Sequence, residues 1–389
     1  GWATEVRLTR LDDADTSALI DALGGTTPDQ ADDLVRASEG LPLIVVESLR
    51  LGRATDGLTP AVRDLMRHRL VGVGRLARQV IESLAVIDRP ADIRLLQSIA
   101  GRSPDETLAA IDELIAAGLV HEDDDSATVS LTHRLLGTVA MEELTEARRR
   151  ALHERAGLAL GDAEAADHLA RAGLTEGAVA AHLRAAATAQ QQHAHAIALR
   201  HLRAAQGLGA DDPSVHARIG DVLTTLGRYD DARRAYEIAA ARSMGAELVE
   251  IELRLARLAL RTGDPELAGS HADSADSELA RLPDQNGLLT ELAICRSHLA
   301  AARPTPRSDD PERAVELARA LDDPASEAEA VAASALVAYR RRDAIAGERA
   351  RRALHLSQVA NSPLVEAAAH NLAGLVAVDE QRTEAAIEH

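Results

Sequence analysis

The segment 213–241 constrains the fold of this chain more than any other. Gly220, Leu223, Gly227, Tyr229, Ala232, Tyr236 and Ala239 follow one another at the spacing of two short antiparallel helices joined by a tight turn. Small residues stand where the two helices must cross, and Tyr236 is expected to fill the hole between neighbouring repeats. The pattern recurs, displaced by thirty-six residues, in Ala256, Gly263, Ala268, Ala272 and Ala275. Weaker copies run through Ala166, Gly173, Ala178 and Ala185, then Ala314 and Ala318, then Ser334, Ala346, Ala350 and Ala353. A helical pair cannot bury its apolar face alone, so such units stack on one another into an α-solenoid with a concave surface. The chain is therefore expected to be mostly α, with helical pairs from about Thr145 to a last helix opening at Pro363.

The first 145 residues read differently. Glu5–Leu11 alternates like a β-strand and ends at Asp12-Asp13, an acidic cap for a helix to about Leu23. Helices follow at 28–38 and 42–52, the second with Pro42 in its first turn, where a missing N–H leaves no bond unmade. From Pro60 the pattern gives helices at 60–71, 75–87, 91–100 and 104–117, then strands around Leu119–Glu122 and Thr128–Leu131 with the polar turn Asp123–Ser126 between them. Three helices and a hairpin describe a winged helix. In DNA-reading versions the helix before the wing enters the major groove and carries Arg, Lys, Asn or Gln. Here that helix carries Asp105, Glu106, Asp112 and Glu113, so the domain is read as a structural spacer. The expected domains are 1–58, 59–145 and 146–389.

Charge and composition narrow the function. The net charge of −19 argues against direct nucleic-acid contact or attraction to anionic lipid. There is no lysine, so all 43 basic residues other than histidine are arginine. A lysine-bearing phosphate loop is thereby excluded from this chain, and with it ATP hydrolysis; the chain is not expected to be an enzyme. Cys295 is the single cysteine, which removes an internal disulfide and any cysteine-based zinc site and suits a cytoplasmic protein. No apolar run approaches the roughly 20 residues that span a bilayer. Gly1-Trp2-Ala3 carries neither a starting methionine nor a signal pattern, and the chain is expected to begin inside a longer protein.

Two short motifs carry a resemblance. Gly40-Leu41-Pro42-Leu43 is similar to the GxP element in the helical lid of the STAND-class signal-transducing NTPases. His133, at the end of the second wing strand, is similar to that family's sensor histidine, although it stands in Thr132-His133-Arg134 where plant and apoptotic members have Met-His-Asp. The repeats at 213–275 resemble tetratricopeptide repeats, and the order of parts over the whole chain resembles LuxR-type or antibiotic-regulatory transcriptional regulators of the class, in which an AAA-like ATPase precedes such repeats. The resemblance implies that Gly40 and Pro42 meet the adenine, and His133 the β-phosphate, of ATP or ADP held by a phosphate-loop domain upstream of Gly1. No cofactor is expected in this chain alone. Physical chemistry allows both roles: a proline ring can lie on a purine without stranding a donor, and a histidine can give a proton to a phosphate oxygen and lose it when a domain swings away. The plainer roles remain open beside them, Pro42 as a helix starter and His133 as a capping or core histidine.

The resemblance thus implies a noncatalytic signal-sensing and coupling portion of a transcriptional regulator. A protein or small-molecule inducer would sit in the solenoid groove, and oligomerisation could follow activation. One alternative is a tetratricopeptide scaffold for protein–protein interaction with no nucleotide switch; another is the regulatory module of a signalling enzyme whose catalytic domain lies elsewhere. Remaining histidines carry less. His193, His195 and His201 are read as a solvated face rather than a metal site, and His168 as a helix-packing residue.

Overall fold

The computed structural model describes residues 10–24, 27–50, 60–123, 125–303 and 311–379. The expected strand at 5–11 lies outside these apart from Arg10 and Leu11. The chain divides into two units, Gly1–Arg184 and Ala185–His389, with the division falling within a helix.

In the first unit, α1 (Asp13–Leu23), α2 (Pro28–Ser38) and α3 (Pro42–Arg50) close around Ile20, Leu34 and Val45. Asp12 caps α1 by accepting the Asp15 N–H at 2.7 Å, as its position before the apolar run implies. α3 belongs to two cores, because the adjacent Ile44 faces a second cluster while Val45 faces the first. That second core is built by α4 (Pro60–Leu70), α5 (Arg75–Ile87), β1 (Ala91–Asp92), α6 (Ile93–Ala100), α7 (Pro104–Ala116), β2 (Val120–Asp123), β3 (Thr128–Leu131) and α8 (Arg134–Glu142).

Helix α5 is the centre of this core. Val80, Ile81 and Leu84 are at most 1% exposed, and burying each such side chain stabilises the fold by roughly 1.5–3 kcal/mol. α7 opens with the capping box Ser103-Pro104-Asp105-Glu106, in which the Glu106 N–H donates to Ser103 Oγ at 3.3 Å and the Ser103 N–H to Glu106 Oε2 at 3.0 Å. Glu113, farther along α7, accepts the N–H of Gly74 at the N-terminus of α5 at 2.6 Å. Two of the four acidic residues on this helix therefore serve local structure, while Asp105 and Asp112 face solvent.

The strands form one antiparallel sheet in the order β1-β3-β2, with Ala91 opposite Val129 and Val120 opposite Leu131. The sequence places a helix over 91–100, and the structure moves its start to Ile93. Asp92 is its N-cap, accepting the Leu95 N–H at 2.8 Å, which leaves Ala91 and Asp92 extended and free to pair with β3. The unit continues with α9 (Glu146–Ala159) and α10 (Asp162–Ala172), which pack together, and with the first part of α11 (Thr175–Gln191).

The second unit contains α12 (His195–Gly207), α13 (Pro213–Thr225), α14 (Tyr229–Ala240), α15 (Ala246–Arg261), α16 (Pro265–Leu279), α17 (Asn286–Ala302), α18 (Pro311–Ala320), α19 (Pro324–Arg340), α20 (Ala346–Val359) and α21 (Pro363–Asp379). Each helix packs on the next, and α15, α17, α19 and α21 also pack on one another in succession. That second-neighbour contact is how helical pairs share a core in an α-solenoid of tetratricopeptide type. Proline opens α13, α16, α18, α19 and α21, where its fixed φ favours the first turn. Gly227 and Gly263, at φ 73° and 82°, turn the chain between paired helices. An added Cβ would meet nothing within 4 Å at either position, so backbone conformation rather than space calls for glycine there.

Candidate functional site

The two motifs singled out in the sequence come together. Helix α2 ends at Ser38, and the chain turns through Glu39 at φ 48° and Gly40 at φ 73° before α3 starts at Pro42. Gly40 has no substitute in this turn. Its carbonyl accepts the Leu11 N–H at 3.0 Å, and an added Cβ would lie 2.2 Å from the Leu11 carbonyl oxygen. Pro42 is exposed at the first position of α3, and Leu43 beside it is also exposed, so the proline presents its ring at the surface.

His133 is the N-cap of α8 and is buried, 1% exposed. Its Nδ1 lies 3.1 Å from Glu39 Oε2 and 3.3 Å from the Leu135 N–H. One nitrogen cannot serve both contacts in full. A bare lone pair facing a carboxylate at 3.1 Å would be repelled, so the tautomer that holds the Glu39 contact carries its proton on Nδ1. Nε2 is then an acceptor, and it is buried with no hydrogen-bond partner among the described residues. Burial holds the His133 pKa well below its ordinary 6.5; Glu39 works in the opposite direction, and Arg10, Arg69 and Arg134 add to the lowering. Arg10 joins the cluster directly, with Nη1 donating to the Glu39 carbonyl at 3.2 Å and lying 3.5 Å from Glu39 Oε2. Sequence reading named Gly40, Pro42 and His133 but not Glu39 or Arg10, which make the connection. The only hint was the position of Glu39 directly before the glycine.

The residues expected to pack the repeats take these places: Ala232, Ala239 and Ala268 are fully buried, Tyr229 is half-buried at the start of α14, and Gly227 and Gly263 occupy turns. Tyr236 packs within its own pair. Its ring lies on Gly220, where an added Cβ would be 2.4 Å from Cε1, and its hydroxyl donates to Asp221 Oδ1 at 2.7 Å. The hole it fills is thus between α13 and α14, and the link to the next pair is made by Arg254 of α15, 3.3 Å from Asp221. Burial raises the Tyr236 pKa.

Of the other histidines, His193 is exposed and its ring stands 6.1 Å from that of His195, while His201 is buried rather than on a solvated face. His168 packs as expected, and its Nδ1 lies 2.9 Å from Nδ1 of the buried His153. No group of three metal-ligating side chains occurs among the described residues. Cys295 is buried, and burial pushes its thiol up to about 11. No described helix is long and apolar enough to cross a membrane.

The second unit thus defines a class by fold, the α-solenoids of tetratricopeptide-like helical pairs. Comparison with known proteins agrees at that level. The chain is similar to a crystal structure of a signal transduction ATPase with numerous domains (STAND) that has a tetratricopeptide repeat sensor, from Pyrococcus horikoshii, with a TM-score of 0.52 and 14% identity. The match covers 99% of this chain and 59% of that one, and at this identity the likeness is one of fold. Yeast Tom70 is matched over 96% of this chain and 77% of its own, at 15% identity and a TM-score of 0.34, too low to carry an argument. No protein-family model matches the chain, and no curated protein does.

Proposed function

We propose that this chain is the noncatalytic sensing and coupling portion of a STAND-class regulator, with transcription as the output of the whole protein. The domains would be a lid over 1–58, a winged-helix arm over 59–145 and a repeat sensor over 146–389 for a protein or small-molecule inducer. ATP or ADP would be held by a phosphate-loop domain outside this chain. The observation that carries the reading is the 3.1 Å contact between His133 and Glu39, which joins the lid turn to the wing–helix junction. A contact between two domains that is made in one arrangement and lost in another biases a two-state hinge.

Do the residues fit a nucleotide? The exposed Pro42 ring fits an adenine, and His133 fits a phosphate oxygen in its other tautomer, with the proton on the unpartnered Nε2, the Leu135 N–H held by Nδ1 and the Glu39 contact given up; Arg10 and Arg134 contribute positive charge. Glu39 does not, because its carboxylate already stands on the ring where another anion would be repelled. We therefore read Glu39 as an intramolecular competitor that holds His133 when no phosphate does. In the full-length protein, Pro42→Ala and His133→Ala are expected to lower the ADP retained on purification, and Glu39→Gln to raise it. Unchanged retention in all three would remove the switch.

The rival reading is a helical-repeat scaffold for protein binding, with the lid turn as plain structure. It draws on the fact that His133 already caps α8 and already has a partner. Under it, the three substitutions would change stability alone.

A further inference from the structure

A second site lies in the first unit, away from the lid turn. Helices α5, α8, α9 and α10 line an open cavity of about 380 Å³ whose walls are mainly polar. Arg134 at the start of α8 and Arg171 near the end of α10 both line it, and neither guanidinium meets a carboxylate or hydrogen-bond acceptor among the described residues. This is notable in a chain with 62 acidic residues and 43 arginines, where most counter-charges are close at hand. Thr138, one turn along α8 from Arg134, adds a hydroxyl whose present donation to the Arg134 carbonyl is long, at 3.5 Å, and can be exchanged for a ligand oxygen, and His153 of α9 adds an imidazole.

His153 is 3% exposed, and its Nδ1 is engaged by His168 Nδ1 at 2.9 Å. Two Nδ1 atoms at that distance share one proton. When His168 donates it, His153 must carry its own proton on Nε2, the nitrogen without a hydrogen-bond partner among the described residues. The ring then offers a donor. Asp88, at the end of α5, is the one carboxylate on the cavity wall, so two cations face one anion.

We propose that this cavity binds a small phosphate monoester, whose phosphoryl group would lie between Arg134 and Arg171 with Thr138 and His153 as further donors. A dianionic tetrahedral group matches two guanidinium forks and two single donors approaching from different helices, better than a planar carboxylate does. The volume exceeds what inorganic phosphate fills and falls in the lower range of small-molecule pockets, which leaves room for a compact organic body. The site shares only the charge of Arg134 with the nucleotide reading, and Arg171→Gln tests it apart from that reading. It faces α9 and α10, and neither His133 nor the 39–42 turn lines it.

The test uses the whole chain with glycerol phosphate and inorganic phosphate as probes, at constant ionic strength set with chloride, followed by calorimetry and thermal melting. Saturable binding is expected, weakened about tenfold by Arg134→Gln or Arg171→Gln and abolished by the pair. Asp88→Asn should tighten it severalfold, which a merely structural carboxylate would not do. Arg184→Gln, which breaks a pair with Asp162 outside the cavity, should leave it unchanged. Arg171→Lys keeps the charge and guards against misfolding of the glutamine variants; it should bind more weakly than the native chain and more tightly than Arg171→Gln. Burial, with the charges of His168, Arg171 and Arg149 against that of Glu146, holds His153 at about 4, and an NMR titration should find it higher when the probe is bound. No saturable binding of either probe, or equal binding by the native chain and the double glutamine variant, would overturn the proposal.

Discussion

Gly220→Ala tests the repeat packing with a change of sign. In an ordinary helix interior, glycine to alanine stabilises by about 1 kcal/mol, because alanine restricts the unfolded backbone and shields the folded one. At Gly220 the added Cβ would sit 2.4 Å from Cε1, 2.6 Å from Cδ1 and 2.8 Å from Cζ of Tyr236, when carbon atoms in contact prefer about 3.5–4 Å. The ring must retreat by about 1 Å, and it is tethered by its hydroxyl to Asp221 at 2.7 Å. Overpacking of this kind costs about 1–3 kcal/mol, and loss of the tether adds about 0.5–1.5 kcal/mol. Against the propensity gain, the net effect is a loss of about 1–3 kcal/mol. With Tyr236→Ala already present, the obstacle is gone and the same change should stabilise by up to about 1 kcal/mol. Amide hydrogen exchange in α13 and α14 measures both, with protection falling roughly 5- to 150-fold in one background and rising in the other. Equal effects in the two backgrounds would refute the packing account, since the coupling would then be zero.

Gly40→Ala should release the Leu11 amide, because the Cβ cannot coexist with the Leu11 carbonyl; exchange at Leu11 should rise far more than at Leu174 in Gly173→Ala, where φ is also positive but no atom lies within 4 Å of the added carbon. His133 and His153 have folded pKa values below the ordinary 6.5, so the unfolded chain binds more protons as pH falls from 6.5 toward 4. Their contribution to stability is full above 6.5 and is lost through that window, and His133→Asn, which keeps a cap but does not titrate, should flatten the pH dependence of the melting temperature; an unchanged slope would contradict it. Ser103→Ala should destabilise by about 1 kcal/mol through loss of the α7 cap, measured by urea denaturation.

The helical framework was readable because its causes are local. Prolines at first turns, caps such as Asp12 and Ser103, and glycines at left-handed turns act within a few residues of themselves. The short strand at Ala91–Asp92 was missed for the opposite reason: two residues cannot show alternation, and their conformation is set by β3, far along the chain. Glu39 was missed likewise. Its side chain matters only because a left-handed backbone at Glu39 directs it toward His133, a contact that no spacing rule encodes. His153 and His168 share that lesson, since fifteen residues across a helical turn put them in contact without any pattern of their own.

The interfaces of the second unit have one more consequence, for how its sequence can drift. Ala314, Ala318, Ala330 and Ala333 meet in one cluster, and Ala335 and Ala350 in another, all without exposed surface. Elsewhere in proteins a buried position can explore neighbours both larger and smaller than itself. Here the side chain is already a single methyl, so shrinking leaves only glycine and growing collides with the facing helix. Paths of neutral substitution at these positions are few, and random mutagenesis of α18–α20 should recover glycine, serine and alanine at these sites while the outward faces of the same helices diversify.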